Sequence, residues 1–264
     1  MPKAVWKGSI SFGLVNIPVK VYSAVSGKGI SFTMLCSKCG TPIKYKRWCP
    51  KCEREVPWNE IEKGVKISKD KYVVVEKGEL ERLKLKTTKA IEIVEFVDIS
   101  QIDPILYQTS YYVVPEETGV KAYSLFVEAL RVSGKVAIGR VVMKNKEYVV
   151  ALRPYKKGVV MHVLHYLGEV REIEELEELR GLVTIREEEL KLARALIEQL
   201  TSKELRLEAF KDSYAEAIRK LVKAKLEGKE VEVEREEEAE LARDLMEALR
   251  ASVEVTKKKK VVVE

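Results

Sequence analysis

The sequence is poor in several residue types and motifs, and each shortage excludes a class of protein. Only three Gln, three Asn and two His occur among its 264 residues. Apolar runs are short, and none approaches the roughly 20 residues that a membrane-spanning helix needs. The phosphate loop G-x-x-x-x-G-K-[ST], the dinucleotide fingerprint G-x-G-x-x-G and the zincin motif H-E-x-x-H are all missing. Nucleotide hydrolysis, dinucleotide chemistry and zincin proteolysis therefore lack support, and we predict a protein that is not an enzyme.

The start of the chain also lacks a feature, because MPKAVWKGS contains no apolar core of a secretory signal. We therefore expect the protein in the cytoplasm, associated with the nucleoid if it binds DNA. Charged residues reach 34%, and the scarcity of amide side chains beside them resembles a thermophile proteome.

Positive charge is concentrated in the first third of the chain. Residues 1–90 hold 19 Lys and Arg against 8 Asp and Glu, whereas residues 171–264 hold 20 against 25. Residues 91–170 are balanced, with 9 of each sign. A basic region of this kind is typical of a surface that neutralises phosphates, although a solvated basic face would give the same pattern.

All four cysteines lie in one short stretch, CSKCGTPIKYKRWCPKC. Cys36 and Cys39 form one C-x-x-C pair, and Cys49 and Cys52 form a second pair after nine intervening residues. Two thiolates separated by two residues can bind one metal ion from a tight turn, and Gly40 suits such a turn. Two turns supply the four sulfurs of a tetrahedral structural site. We therefore predict a structural Zn²⁺ held by these four cysteines.

Three other interpretations of the cysteines stay open. Disulfides would need an oxidising compartment, although intracellular proteins of hyperthermophiles are an exception. A single C-x-x-C can be a redox motif, but two of them so close together favour a shared metal. Iron accepts the same four ligands as zinc.

Residues 41–48, TPIKYKRW, lie between the cysteine pairs and alternate with the period of two that is typical of a β-strand. The pattern predicts a short hairpin that is basic on both faces. Such a hairpin is too small to bury a core, so the metal must stabilise it. We predict a zinc ribbon, residues 30–56, inserted into a larger fold and facing a polyanion. Its predicted DNA-binding residues are Lys38, Lys44, Lys46, Arg47, Lys51 and Arg54.

The rest of the chain predicts an α+β fold. Short runs rich in Val, Ile, Phe and Tyr, separated by turn residues, predict strands of one antiparallel sheet or barrel within residues 4–35, 89–99, 107–114 and 135–167. The Val-rich run Tyr72–Val75 predicts a further strand. Apolar residues recur at three and four between Gly119 and Ser133, which predicts an amphipathic helix. The chain from Glu169 onward is acidic and predicted to be helical.

Three regions follow from these patterns. We predict a β-barrel core over residues 1–184, a helical arm over residues 185–252 and a basic tail over residues 253–264. The last predicted helix, Arg235–Ser252, carries leucines at a spacing of four, and the tail contains Lys257–Lys260. This narrow leucine stripe needs a partner surface, either the barrel or a second subunit.

Three stretches resemble one known family. SGKVAIGRVVMKNKEYVVALRPY resembles the signature of the Ku family, and two further stretches agree with it: SISFGLVNIPVKVYSAV near the start and FKDSYAEAIRKLVKAKLEGK in the late helical region. The matches occur in order and cover nearly the whole chain. The resemblance is to the compact prokaryotic form, which lacks the flanking domains of eukaryotic Ku.

The resemblance implies both a fold and a function. It implies a seven-stranded antiparallel β-barrel with a C-terminal helical arm, and an obligate two-fold homodimer that forms a ring. In this family the segment between the early strands arches over DNA, and here the ribbon occupies that position. The implied function is sequence-independent binding of double-strand break ends in non-homologous end joining, with an ATP-dependent DNA ligase as partner.

One rival function and two local features need separate interpretation. A zinc-ribbon factor of transcription or translation without a ring would explain the cysteines and the charge, but not the long hairpin match.

His162 and His165 would lie on opposite faces of a strand, so we interpret them as structural. Trp6, Trp48 and Trp58 could stack on exposed bases, but two of them flank the ribbon, where packing against it is the simpler interpretation.

Overall fold

The computed structural model describes residues 2–27, 29–69, 71–76, 78–79 and 89–228. The predicted helix Arg235–Ser252 and the basic tail lie outside these residues. Within the described chain, no helix is long and apolar enough to cross a membrane.

The described regular structure contains eleven strands, three α-helices described over their full length and several short 3₁₀-helices. In chain order the strands are β1 (Trp6–Phe12), β2 (Val15–Ser23), β3 (Trp48–Cys49), β4 (Arg54–Glu55), β5 (Lys63–Ser68), β6 (Lys71–Val75), β7 (Ala90–Asp98), β8 (Tyr107–Pro115), β9 (Lys135–Met143), β10 (Lys146–Tyr155) and β11 (Gly158–Leu164). The helices are α1 (Val120–Ser133), α2 (Glu187–Leu200) and α3 (Ser213–Leu226).

Seven of the strands close into a barrel in the order β1-β2-β8-β11-β10-β9-β7. Alternate residues of each strand point inward, so the apolar alternation in the sequence becomes the core. The fully buried interior residues are almost all aliphatic and include Ile10, Ile17, Val19, Val21, Ile91, Val113, Val150, Leu152 and Met161. Burial of each such side chain stabilises the fold by about 1.5–3 kcal/mol.

Helix α1 packs on the barrel core. Its buried residues Phe126, Val127 and Leu130 join the same apolar cluster as the barrel interior. Tyr123 fixes the helix to two strands, because its hydroxyl donates to the Val113 carbonyl at 2.6 Å and accepts from the Val159 N–H at 2.9 Å. The helix predicted at residues 119–133 is therefore confirmed, and it ends where Gly134 adopts a left-handed φ of 66°.

The expectation of a purely antiparallel barrel is wrong at one seam. β1 and β7 pair in parallel, with Ser9 opposite Ala90 and Ile10 opposite Ile91. The other six neighbouring pairs are antiparallel. The reason is parity, because a closed ring with an odd number of strands cannot alternate in direction throughout. A seven-stranded barrel therefore contains at least one parallel pair.

The chain divides by its contacts into two compact units. The first comprises Met1–Lys28 and Phe32–Glu172, and the second comprises Gly29–Ser31 and Ile173–Glu264. In the second unit, α2 and α3 are amphipathic, and the Asp212 side chain caps α3 by accepting from the Ala215 N–H at 2.8 Å. The boundary at residue 184 stays a prediction.

Candidate nucleic-acid interface

The connection between β2 and β7, residues 24–89, carries the cysteines outside the barrel. Each C-x-x-C pair occupies a tight turn of its own. In the first turn the Gly40 N–H donates to the Cys36 carbonyl at 2.8 Å and the Cys36 N–H donates to the Thr41 carbonyl at 2.9 Å. Gly40 has a φ of 67°, and Glu53, which follows the second pair, has a φ of 49°. Both turns thus place a left-handed residue directly after the second cysteine.

The predicted continuous strand over residues 41–48 is wrong. Only Trp48–Cys49 is extended and paired, with Arg54–Glu55, while Pro42 forms an isolated bridge with Leu35. The physical reason is that each cysteine turn reverses the chain and pairs its own two flanks. A proline also lacks the N–H that a longer strand would need. The ribbon therefore consists of two small hairpin turns in sequence.

All four thiols are free of disulfide bonds. The cysteines of each pair form hydrogen bonds within their own turn. Hydrogen bonding with the Thr41 hydroxyl, 3.4 Å from Cys39 Sγ, lowers the pKa of Cys39. The backbone N–H of Cys52 lowers the pKa of Cys49, whereas hydrogen bonding with the Cys49 side chain raises the pKa of Cys52. A lowered thiol pKa favours the thiolate, which is the form that binds metal.

The two pairs do not meet in this structure. Among the described residues, no three Cys, His, Asp or Glu side chains lie close enough to share an ion. The two turns thus supply the donors of a four-thiolate site. In the structure, however, the two pairs do not lie close enough together to bind one ion.

All six predicted DNA-binding residues are exposed, and they divide into two groups. Lys46 pairs with Glu55 at 3.2 Å, and Arg54 pairs with Glu60. Arg47 donates from Nε to the Val56 carbonyl at 3.4 Å, and its guanidinium lies 4.3 Å from the centre of the Trp58 ring. Of the six, Lys38, Lys44 and Lys51 have no ion pair or hydrogen bond within the described part of the chain.

The three tryptophans have different environments. Trp6 packs against the barrel core, and its Nε1–H donates to the Val142 carbonyl at 3.2 Å. Trp48 and Trp58 stay largely exposed, so packing against the ribbon does not bury them. Packing against the ribbon is confirmed for Trp58, whose ring contacts the Arg47 guanidinium, although the contact leaves most of the ring exposed.

The two histidines bind different partners, as the structural interpretation predicts. His162 Nε2 accepts from Arg153 Nε at 3.1 Å, and its Nδ1 lies 2.9 Å from the Ser110 hydroxyl. Burial and the neighbouring Arg153 lower the pKa of His162. His165 lies beyond the end of β11 and contacts Glu169 at 3.1 Å. The histidines therefore do not form a metal site together.

The sequence reasoning missed one element beside the ribbon. β5 and β6 form a separate two-stranded hairpin whose large apolar side chains are nearly all exposed: Val65, Ile67, Tyr72, Val73 and Val74. The signal was available, because residues 63–68 alternate and a polar turn follows them. Only β6 was predicted, from the Val-rich run near Tyr72.

Comparison with known proteins identifies the family. The family model for the Ku70/Ku80 β-barrel domain matches residues 11–192. The non-homologous end joining protein Ku of Archaeoglobus fulgidus is 46% identical over 97% of this chain and 100% of its own length. The protein of the same name from Bacillus subtilis is 40% identical over 96% of this chain and 82% of its own length. The corresponding protein of Symbiobacterium thermophilum is 41% identical, and this chain spans 62% of its length. The chain belongs to the Ku family.

Proposed function

We propose that this protein binds the ends of double-stranded DNA without regard to sequence, in non-homologous end joining. The observation that carries the proposal is the cationic ribbon inserted between β2 and β7 of a Ku barrel, with Lys38, Lys44 and Lys51 unpaired in the described chain. Lysine side chains that contact phosphates position a protein on a duplex but do not read its bases. The names of the relatives support the pathway.

We expect two copies of the chain to close a ring around the duplex. The β5–β6 hairpin supports a dimer, because an isolated two-stranded hairpin is at most marginally stable in water. Its exposed valines and Tyr72 form an apolar surface that a second copy can cover. The exposed apolar residues of α2 and α3, such as Ile197 and Leu226, support the same conclusion.

A closed ring would make binding depend on a DNA end. Contacts with phosphates alone attract any duplex, and their strength falls steeply with salt. A ring adds a topological condition, because the duplex can enter only where it ends. Sequence-independent attraction thus becomes specific for ends.

The test compares three DNAs of the same sequence: an open linear duplex, the duplex with bulky adducts on both ends, and a covalently closed circle. We expect a gel-shift with the open duplex and no measurable shift with the other two at the same protein concentration. Protein loaded before the ends are blocked should stay bound through a salt challenge and be released when a nuclease cuts the DNA.

Two results would contradict the ring. Equal binding to all three DNAs would remove the requirement for an end and favour the transcription-type ribbon factor. A monomer in sedimentation equilibrium at the concentrations that bind DNA would remove the dimer. The internal control compares protein loaded before the ends are blocked with protein added after they are blocked. The two samples contain the same protein and the same DNA, and they differ only in whether an open end was available for loading.

We further propose that the bound ends are presented to an ATP-dependent DNA ligase and that this chain itself catalyses no step. The absence of nucleotide-binding motifs from the sequence supports a non-enzymatic role. Membership of a family whose relatives are named for end joining supports a ligase partner.

We also propose that Cys36, Cys39, Cys49 and Cys52 hold one structural Zn²⁺. The donor set supports this, because four thiolates in two turns are the ligands of a closed tetrahedral zinc site. Such a site would stabilise the ribbon, which buries almost no apolar surface of its own. Binding of one ion by both pairs requires the two turns to come together.

Elemental analysis of freshly purified protein should find about one zinc per chain. A thiol-modifying reagent should release the zinc, and the double change Cys49→Ser and Cys52→Ser should prevent its binding, because half of the ligands are lost. The same measurement reports iron, which would keep the site but change the metal. Protein that contains neither metal would contradict the proposal.

A further inference from the structure

Large aromatic side chains are exposed on and beside the ribbon. Scattered exposed apolar residues are normal on protein surfaces, but here four aromatic residues lie between positions 32 and 58 among cationic side chains. Their exposed fractions are 69% for Phe32, 82% for Tyr45, 60% for Trp48 and 72% for Trp58. Exposed aromatics interleaved with cations are typical of surfaces that bind single-stranded nucleic acid, where the bases stack on the rings.

Trp58 has the geometry that suits stacking best. The Arg47 guanidinium lies 4.3 Å from the centre of its ring and is oriented by the hydrogen bond from Arg47 Nε to the Val56 carbonyl. The indole is therefore supported on one side by a cation, while most of its surface remains accessible. Aromatic rings and arginines act together on surfaces that bind single strands, the rings by stacking and the guanidinium by its charge and cation–π contacts.

Trp48 is less suited to the same role. It lies directly opposite Glu55 in the β3–β4 pair, and Glu55 also forms the ion pair with Lys46. Lys46 partly neutralises this carboxylate, but in the described part of the chain no cation lies over the Trp48 ring as Arg47 lies over the Trp58 ring. The structure therefore distinguishes Trp48 in the ribbon from Trp58 just beyond it, which the sequence alone does not.

We infer that this surface binds the unpaired bases of a single-stranded extension at a DNA end, with Trp58 stacking on a base and the charge of the adjacent Arg47 guanidinium attracting the backbone of the same strand. The inference rests on the proposed function, because end binding brings the ribbon to the DNA. It also goes beyond that function, since the bases of an intact duplex offer no free face and only unpaired bases can stack. The protein would then distinguish blunt ends from ends with an extension.

The test measures affinity for a blunt duplex, for the same duplex with a single-stranded thymine extension, and for the thymine oligonucleotide alone. We expect the extension to raise the affinity of the unchanged protein about tenfold, the effect of stacking roughly one base. Trp58→Ala should abolish this gain and leave affinity for the blunt duplex unchanged. Trp58→Tyr should keep most of the gain, because it retains an aromatic face.

Trp48→Ala is the matched control, since it removes a similarly exposed indole ten residues away in the sequence and should keep the gain. Binding of the oligonucleotide should quench the tryptophan fluorescence, and Trp58→Ala should lose most of this quenching. An equal loss of affinity for blunt and extended ends in Trp58→Ala would overturn the inference. So would a dimer that dissociates in Trp58→Ala, because a second copy would then be what covers the aromatic surface.

The two proposals fail in different ways. If the extension brings no gain while binding still requires a free end, only the stacking inference is wrong. If closed circles bind as well as open duplexes, the ring is wrong, and the thymine oligonucleotide still reports whether Trp58 stacks on bases.

Discussion

The simultaneous replacement of Lys38, Lys44 and Lys51 by Gln should lower the affinity for every DNA end by about 100-fold for each chain whose lysines contact the DNA, at ~0.15 M salt. Each phosphate contact releases counterions and contributes about 0.9 to the slope of log K against log salt concentration. The slope should therefore fall by about 2.7 for the three contacts of one chain, and by twice that for two chains. Gel-shift or anisotropy titrations across a series of salt concentrations measure both quantities.

These three lysines are chosen because the structure leaves them without partners in its described part. Lys46 and Arg54 are partly neutralised by Glu55 and Glu60, so their removal would also release a carboxylate and confuse the measurement. The loss of affinity should be the same for duplexes of different sequence, since phosphate contacts carry no base information.

The matched control replaces Lys121, Lys156 and Lys157 by Gln, which removes the same charge from exposed positions on the barrel domain. This control should change the slope little, because only the long-range attraction is reduced. Equal slopes for the ribbon variant and the unchanged protein would place the path of the DNA elsewhere on the molecule.

Much of the barrel could be predicted from the sequence, because its strands obey simple local rules. The run 135–155 alternates on both sides of a short turn, and it forms β9 and β10 as predicted. The helix from residue 119 follows from the change of period at Gly119. The parallel pairing of β1 with β7 is a property of the closed ring, and residue patterns do not encode it. Counting the strands would have revealed it, because seven is odd.

The candidate interface was predicted less completely, because charge in a sequence does not identify partners. The spacing of Cys36, Cys39, Cys49 and Cys52 predicts two tight turns, and both are present. The ion pairs made by Lys46 and Arg54 depend on how the second turn folds back toward Glu55 and Glu60. The exposure of Trp48 and Trp58 likewise depends on tertiary packing.

The replacement of Gly139 by Ala should lower the free energy of unfolding by about 3 kcal/mol. Gly139 lies in β9 opposite Ile93, where β7 has an irregularity between Ile93 and Glu95. A Cβ at this position would overlap the Glu92 carbonyl oxygen and lie 3.1 Å from its carbon and 3.2 Å from Ile93 Cα. These are backbone atoms and cannot rotate away, so the seam between β7 and β9 must open.

Urea unfolding followed by far-ultraviolet circular dichroism measures the effect, and the midpoint should shift without a change in slope. Gly168→Ala is the matched control, because a Cβ there meets no heavy atom within 4 Å. It should change the free energy of unfolding by less than about 0.5 kcal/mol. The sequence already indicates this close contact, since a glycine inside a strand often marks a bulge or a close approach of another backbone. Equal stability of the two variants would mean that β7 does not pass over Gly139, and the barrel would then have to close along a different seam.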